Sequence, residues 1–344
     1  MRIRNIIKKL ALPLLFMSFL FSSAAYGQSG RRVPDDTSHK VQLIEVQPGV
    51  KLEVLDYGGI GRPMVFLAAL GQDAHDWDRF APKFVARYHV YAITRRGFGS
   101  SDKPEPTDEN YESDRLGDDV LAVMSVLHLE KPVLVGFSVG GEELSSVGSR
   151  FPEKVSGLVY LDAGYPYALY DAKVGEPLLD RAELRRLLRQ AEHEMPMSDE
   201  LRRKLLASMQ RNEDLLRNGL KLEEIARKNP APNNTNSPPP PPGPPMPPQM
   251  IAIRNNGDKY TQIPVPILAI YAVPVDLSNI FKDPEARAKV EAEDAKFRNA
   301  SADAFEKAVP SARVVRIPHA THDVFASNET QVMTEMDAFL ARLQ

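Results

Sequence analysis

No cysteine occurs anywhere in the 344-residue chain. Disulfide frameworks, thiolate nucleophiles and lipidation on a thiol are thereby excluded, and the fold must stand on its hydrophobic core. An excess of basic charge is missing too: 43 Lys and Arg face 46 Asp and Glu, leaving a net charge of −3 that argues against a nucleic-acid partner. Clusters such as Arg185, Arg186, Arg189, Arg202, Arg203 and Lys204 are interleaved with acidic residues and read as solvated helix faces. The N-terminal apolar run, Leu10 to Phe21, has about 12 residues where about 20 are needed to span a bilayer. With Arg2, Arg4, Lys8 and Lys9 before it and Ala25-Tyr26-Gly27 after it, this run reads as an export signal over residues 1–27. Cleavage is expected after Gly27, giving a periplasmic or secreted protein with no stable membrane anchor.

About 317 residues then remain, enough for one large α/β domain carrying an insertion. Strand-like runs recur at Val41–Val46, Leu52–Tyr57, Pro63–Leu67, Val90–Thr94, Val133–Val135, Gly157–Leu161, Ile267–Tyr271 and Arg313–Ile317. Helical spacing appears between the later ones. Leu116, Val120, Val123, Met124 and Leu127 share one helix face, and Val332, Met336, Phe339, Leu340 and Leu343 another, with Asn328 as the expected N-cap of the latter. Two amphipathic strands followed by alternating strand and helix predict an antiparallel start feeding a mostly parallel, doubly wound sheet.

The alternation breaks over residues 163–262, where helical patterns occur without a convincing strand. Leu184, Leu187, Leu188 and Ala191 form one apolar stripe, and Leu201, Leu205 and Met209 a second. This insertion is expected to be a helical cap dividing the core into 28–162 and 263–344. Its tail, residues 229–249, holds the run Pro238–Pro242 and then Pro244, Pro245, Pro247 and Pro248. Lacking backbone donors, it reads as an extended polyproline strap that returns the chain to the sheet.

Gly136-Phe137-Ser138-Val139-Gly140 follows the apolar run Pro132–Val135 and opens a helical segment. A serine at a sharp strand-to-helix turn needs small neighbours two residues before and after it, because the backbone there is strained and crowded. Ser138 is thus the nucleophile candidate, and Gly141 would let the helix pack closely. Glu142 and Glu143 suit a helix N-terminus, whose partial positive charge favours acids; a role near the nucleophile is the sharper reading. A serine hydroxyl needs a base and an acid to orient that base. His322, shortly after the last strand and before the last helix, is the base candidate, with His319 as its competitor. The other histidines, His39, His75, His89, His128 and His193, read as structural or exposed. Two aspartates follow strands, Asp162 and Asp276, and either could orient the imidazole.

Thr94-Arg95-Arg96-Gly97-Phe98-Gly99-Ser100-Ser101-Asp102-Lys103-Pro104, the elbow around Ser138, and Pro318-His319-Ala320-Thr321-His322 together carry a resemblance to the α/β-hydrolase fold superfamily, in its serine-nucleophile, cap-bearing branch. The resemblance implies an eight-stranded sheet and a Ser, acid, His order along the chain. It favours Asp276 as the acid, because the superfamily usually places that residue after the later of the two strands. Asp276 comes one position later than the common Gly-x-x-Asp pattern, and Asp162 is the alternative. The resemblance also implies an oxyanion hole from two backbone amides, those of Val139 and Leu70, with Ala68-Ala69 where the superfamily usually has His-Gly. Trp77 matches a frequent aromatic that packs near the first helix. Relatives that open epoxides or displace halide carry an aspartate at the elbow, so serine argues against both.

The expected activity is carboxylic-ester hydrolysis of a small or medium acyl substrate, a small molecule, through an acyl-enzyme, without metal or organic cofactor. Amide, peptide or carbon–carbon hydrolysis by the same residues is the alternative. A second is a non-catalytic protein that keeps the site to bind a ligand.

Overall fold

The computed structural model describes residues 39–228, 245–279, 281 and 283–343. The segments expected to be an export signal and, for the most part, a proline strap lie outside the described residues. The chain divides into two compact units, one comprising 31–176 with 248–344 and the other holding 177–247.

The larger unit is built on one sheet: β1 (Lys40–Gln47), β2 (Val50–Gly58), β3 (Arg62–Leu67), β4 (Tyr88–Ile93), β5 (Val133–Phe137), β6 (Gly157–Leu161), β7 (Ile267–Ala272) and β8 (Ala312–Ile317). Their spatial order is β1-β2-β4-β3-β5-β6-β7-β8. β1 and β2 pair antiparallel, as do β2 and β4, and every later pairing is parallel. Every strand expected from the sequence is present, with ends moved by a few residues.

Helices α1 (Ser113–Val126), α2 (Gly140–Arg150), α5 (Pro248–Asn255) and α6 (Pro284–Ala308) lie between successive strands of this unit, and α7 (Glu329–Leu340) follows β8. Successive residues of one strand serve opposite faces. Met64 and Phe66 join Trp77, Phe80, Phe84 and the α7 residues Val332 and Met336. Val65 and Leu67 join Val120 and Val123 of α1 and Leu144 of α2. β5, β6 and β7 are buried along their whole lengths, as strands covered on both faces must be. That makes them rigid supports for whatever their C-terminal ends carry. Asn328 does precede α7, but it caps through its backbone carbonyl, which accepts from Gln331 and Val332, and not through its side chain.

The smaller unit contains α3 (Pro177–His193) and α4 (Asp199–Lys228). Leu179, Ala182 and Leu201 are buried, while Leu188 and Met209 of the expected apolar stripes are exposed. Asn212 on α4 donates to the Asp180 carbonyl on α3 at 3.0 Å, a buried bond that fixes the helix pair. Among the described residues no helix is long and apolar enough to cross a membrane.

Candidate active site

β5 ends at Phe137 and α2 begins at Gly140, leaving two residues to reverse the chain. Ser138 takes the turn with φ at +51°, the left-handed region that a side chain enters only at some cost. The strain is held by close packing. A Cβ on Gly140 would lie 2.9 Å from the Leu67 carbonyl oxygen, and one on Gly141 only 2.4 Å from that of Ala163, so the helix start can press against the ends of β3 and β6 only with glycine there. The motif read from sequence thus has a steric cause at each position.

Ser138 Oγ lies 3.0 Å from His322 Nε2. On the other side of the ring His322 Nδ1 lies 2.6 Å from Asp162 Oδ2. A carboxylate can only accept, so the short contact assigns the neutral imidazole proton to Nδ1 and leaves Nε2 free to accept from the serine hydroxyl. Phe137 packs on the His322 ring at 4.8 Å between centroids, and the imidazole is 43% exposed on its remaining side. Ser138 itself is buried, with the Tyr167 side chain close beside it.

The expectation that Asp276 orients His322 is corrected by this geometry. Asp276 sits where its backbone amide donates to the Ala320 carbonyl, and its carboxylate turns to accept from the Ser278 amide at 2.8 Å. That local turn, with the Ser278 backbone as its largest cause, holds its carboxyl below the ordinary range. Asp162, at the end of the adjacent strand β6, is fully buried and meets the ring instead. His319 is exposed, with φ at +58°, and its backbone amide bonds to the Pro274 carbonyl; it shapes the loop.

Asp162 is surrounded by donors. Oδ2 accepts from His322 and from Arg298 Nη1 at 2.6 Å; Oδ1 accepts from the Tyr165 hydroxyl at 2.6 Å and the Ala272 amide at 3.1 Å. Burial alone would raise this carboxyl, but Arg298 and His322 outweigh it and the group is held far below the ordinary carboxylate range. Arg298, 2% exposed, also bonds Asp294 one helical turn earlier on α6 and the Tyr165 hydroxyl. Its guanidinium lies 5.4 Å from the Tyr165 ring centroid, and Tyr165 stacks on Phe297. Sequence reading missed Arg298, Asp294, Tyr165 and Tyr167. An Asp and an Arg four apart on a charged helix look the same as exposed pairs such as Lys204 with Glu200, so no sequence signal distinguishes this buried one.

The Ala68-Ala69-Leu70 loop is held from behind. Arg95, 4% exposed, donates to the Ala68 carbonyl at 2.8 Å and the Ala69 carbonyl at 3.3 Å, and grips Glu143 of α2 through two bonds of 2.8 and 2.6 Å. A trans peptide places its N–H opposite its C=O, so fixing the Ala69 carbonyl also fixes the direction of the Leu70 amide. Among the described residues the Leu70 and Val139 amides donate to no backbone carbonyl. Glu142, in the first turn of α2, is buried and accepts from Ser113 at 2.8 Å. Burial pushes its carboxyl up to about 8, with Ser113 and Arg95 pulling the other way. Both glutamates therefore have buried partners, beyond any general preference for a helix start. Trp77, 1% exposed, packs among Phe66, Phe80, Phe137 and Phe325.

Comparison with known proteins agrees with this architecture. The fluoroacetate dehalogenase of a Burkholderia species is 31% identical over 116 residues, covering 33% of this chain and 38% of that protein. The 3-oxoadipate enol-lactonase 2 of Acinetobacter baylyi is 28% identical over 128 residues, covering 37% of this chain and 44% of that protein. The matched stretch is thus less than half the length of either relative. The solved structure of the Bacillus megaterium epoxide hydrolase with an inhibitor superposes with a TM-score of 0.54 at 20% identity, over 87% of this chain and all of that one. The model of the alpha/beta hydrolase fold matches residues 62–329, and the chain belongs to that family of hydrolases.

Proposed function

We propose that the protein is a serine hydrolase that cleaves carboxylic esters through an acyl-enzyme on Ser138. The observation that carries the reading is the unbroken chain from Ser138 Oγ through His322 to the ionised Asp162, with the serine on a strained turn. The similarity to an enol-lactonase is consistent with an ester-class substrate. Epoxide opening or halide displacement by an elbow carboxylate gives an alkyl ester of the enzyme; a serine hydroxyl, paired with a base, is suited to acyl transfer.

In the first half-reaction Ser138 Oγ attacks the ester carbonyl as its proton passes to His322 Nε2. The amides of Val139 and Leu70 hold the negative oxygen of the tetrahedral intermediate. Collapse breaks the carbon–oxygen bond, and the imidazolium returns the proton to the leaving alcohol. Water then loses a proton to His322, attacks the acyl carbon and releases the carboxylic acid, regenerating Ser138. Asp162 keeps the imidazole in the correct tautomer and stabilises the imidazolium. Arg298, Tyr165 and the Ala272 amide keep Asp162 ionised and fixed. We assign substrate selection to the inserted helical unit, and export to residues 1–27.

The test is intact-mass spectrometry after exposure to a fluorophosphonate, comparing wild type with Ser138→Ala, together with turnover of a simple aryl ester. A single adduct absent from the variant, with sustained ester turnover, is expected. A folded wild type that takes no adduct, or releases one equivalent of product and stops, overturns the reading.

A further inference from the structure

Away from Ser138, potential ligands from two separate parts of the chain converge: His39 on the segment entering β1, and, on one turn, His75 in the 3-10 segment Ala74–Trp77 with Asp78 just after it. One ligand atom from each lies within 4.8 Å of the others. His75 Nδ1 is 3.1 Å from Asp78 Oδ2, and His39 Nδ1 is 3.7 Å from Asp78 Oδ1. Zinc bonds of about 2.0–2.1 Å in tetrahedral geometry put neighbouring ligand atoms about 3.3 Å apart; the two separations lie near that value but run to different oxygens of Asp78, so a set of one atom per residue, now within 4.8 Å, would draw together by side-chain rotation as an ion bound. The two imidazole rings, 5.2 Å apart between centroids, would close the third edge by side-chain rotation.

The outer partners are also arranged for coordination. The Tyr57 hydroxyl donates to Asp78 Oδ1 at 2.6 Å, orienting the carboxylate. Glu53 Oε1 lies 3.7 Å from His75 Nε2, the ring nitrogen remote from Asp78, and the Thr94 hydroxyl holds the other oxygen of Glu53 at 2.7 Å. A ligating histidine is commonly oriented by a carboxylate behind its second nitrogen; Glu53 stands on that side of His75 and needs only a small shift to hydrogen-bond it. The groups are partly buried, with His39, Asp78 and His75 side chains 7%, 15% and 22% exposed, so an ion could enter and water could complete its shell.

We propose that His39, His75 and Asp78 bind one Zn²⁺ ion. Two imidazole nitrogens and one carboxylate suit zinc, whereas Mg²⁺ and Ca²⁺ prefer all-oxygen shells. The ion would tie the segment entering β1 to the turn that follows the Ala68–Leu70 loop, a structural role separate from the chemistry at Ser138.

The test uses the full-length mature protein, freed of metal with a chelator and titrated with Zn²⁺ by calorimetry, with Co²⁺ as a spectroscopic substitute. One equivalent should bind with a micromolar or lower Kd, Co²⁺ should give the intense visible bands of tetrahedral coordination, and Zn²⁺ but not Mg²⁺ should raise the melting temperature. His75→Gln and Asp78→Asn should each weaken binding by about 10–100-fold. His39→Gln, outside every helix and strand, should do the same and guards against misfolding of the other two. His322→Gln should leave binding unchanged. Absence of binding overturns the proposal, as does binding that survives the three substitutions or is lost in His322→Gln, which would put the ion at the Ser138 site.

Discussion

Asp162→Asn and Asp276→Asn, compared side by side, test the acid assignment most sharply. In Asp162→Asn the side chain keeps its shape but loses its charge and can turn its amide nitrogen toward His322. The imidazole is then no longer held with its proton on Nδ1. Loss of the equivalent acid in a serine protease lowers kcat about 10⁴-fold, or about 5.4 kcal/mol at 1.36 kcal/mol per decade. The fold should weaken as well, because Arg298 loses one of its two buried carboxylate partners. Asp294 remains, which puts the loss near the lower end, about 3 kcal/mol, of the range for breaking a buried ion pair. A domain of ordinary stability survives that. Asp276→Asn, by contrast, retains an acceptor for the Ser278 amide and touches nothing at Ser138. It should cost under about 1 kcal/mol, in the range of ordinary surface changes, and leave kcat essentially unchanged. The assay is aryl-ester turnover at saturating substrate, with urea denaturation of each variant as the control for folding. If Asp276→Asn loses as much activity as Asp162→Asn, or if Asp162→Asn keeps full activity while folded, the reasoning is refuted.

Three further outcomes are expected. Glu142 has a folded-state pKa near 8 against about 4.3 when unfolded. Below about 4.3 both states are protonated, and between the two values only the unfolded state ionises, so stability falls by about 1.4 kcal/mol per pH unit. Glu142→Gln should therefore gain about 3 kcal/mol over wild type on going from pH 4.5 to pH 7, read by urea titration at both pH values; a gain independent of pH contradicts the assignment. Arg95→Lys keeps the charge but cannot grip Glu143 and two carbonyls at once, so kcat should drop about 10–100-fold with a smaller change in KM, as expected for loss of transition-state stabilisation. An unaltered kcat would mean the Leu70 loop needs no such support. Arg298→Met leaves Asp162 and Asp294 buried without their shared cation and should cost about 3–5 kcal/mol, measured as a lowered denaturation midpoint; a midpoint within error of wild type would show that Arg298 contributes specificity of structure and not stability.

The positions of the strands along the chain, the mostly parallel character of the sheet and the turn at Ser138 were legible in the sequence because each leaves a local pattern; the spatial order β1-β2-β4-β3-β5-β6-β7-β8 is tertiary. Buried parallel strands are apolar throughout, as β5–β7 are, and the elbow glycines are required by backbone contacts that no other residue fits. His322 could be found because it occupies the one short loop between the last strand and the last helix. Which aspartate meets it could not, since Asp162 and the segment carrying Asp276 leave the same edge of the sheet from adjacent strands β6 and β7. Only the three-dimensional course of the two loops decides: one carboxylate closes a local turn on Ser278, and the other is driven inward against His322 by Arg298, Tyr165 and the Ala272 amide. The same holds for Arg95 behind the Ala68–Leu70 loop and for His39 beside Asp78. Each joins residues remote in sequence, and the low dielectric that makes these contacts strong exists only once the chain has buried them.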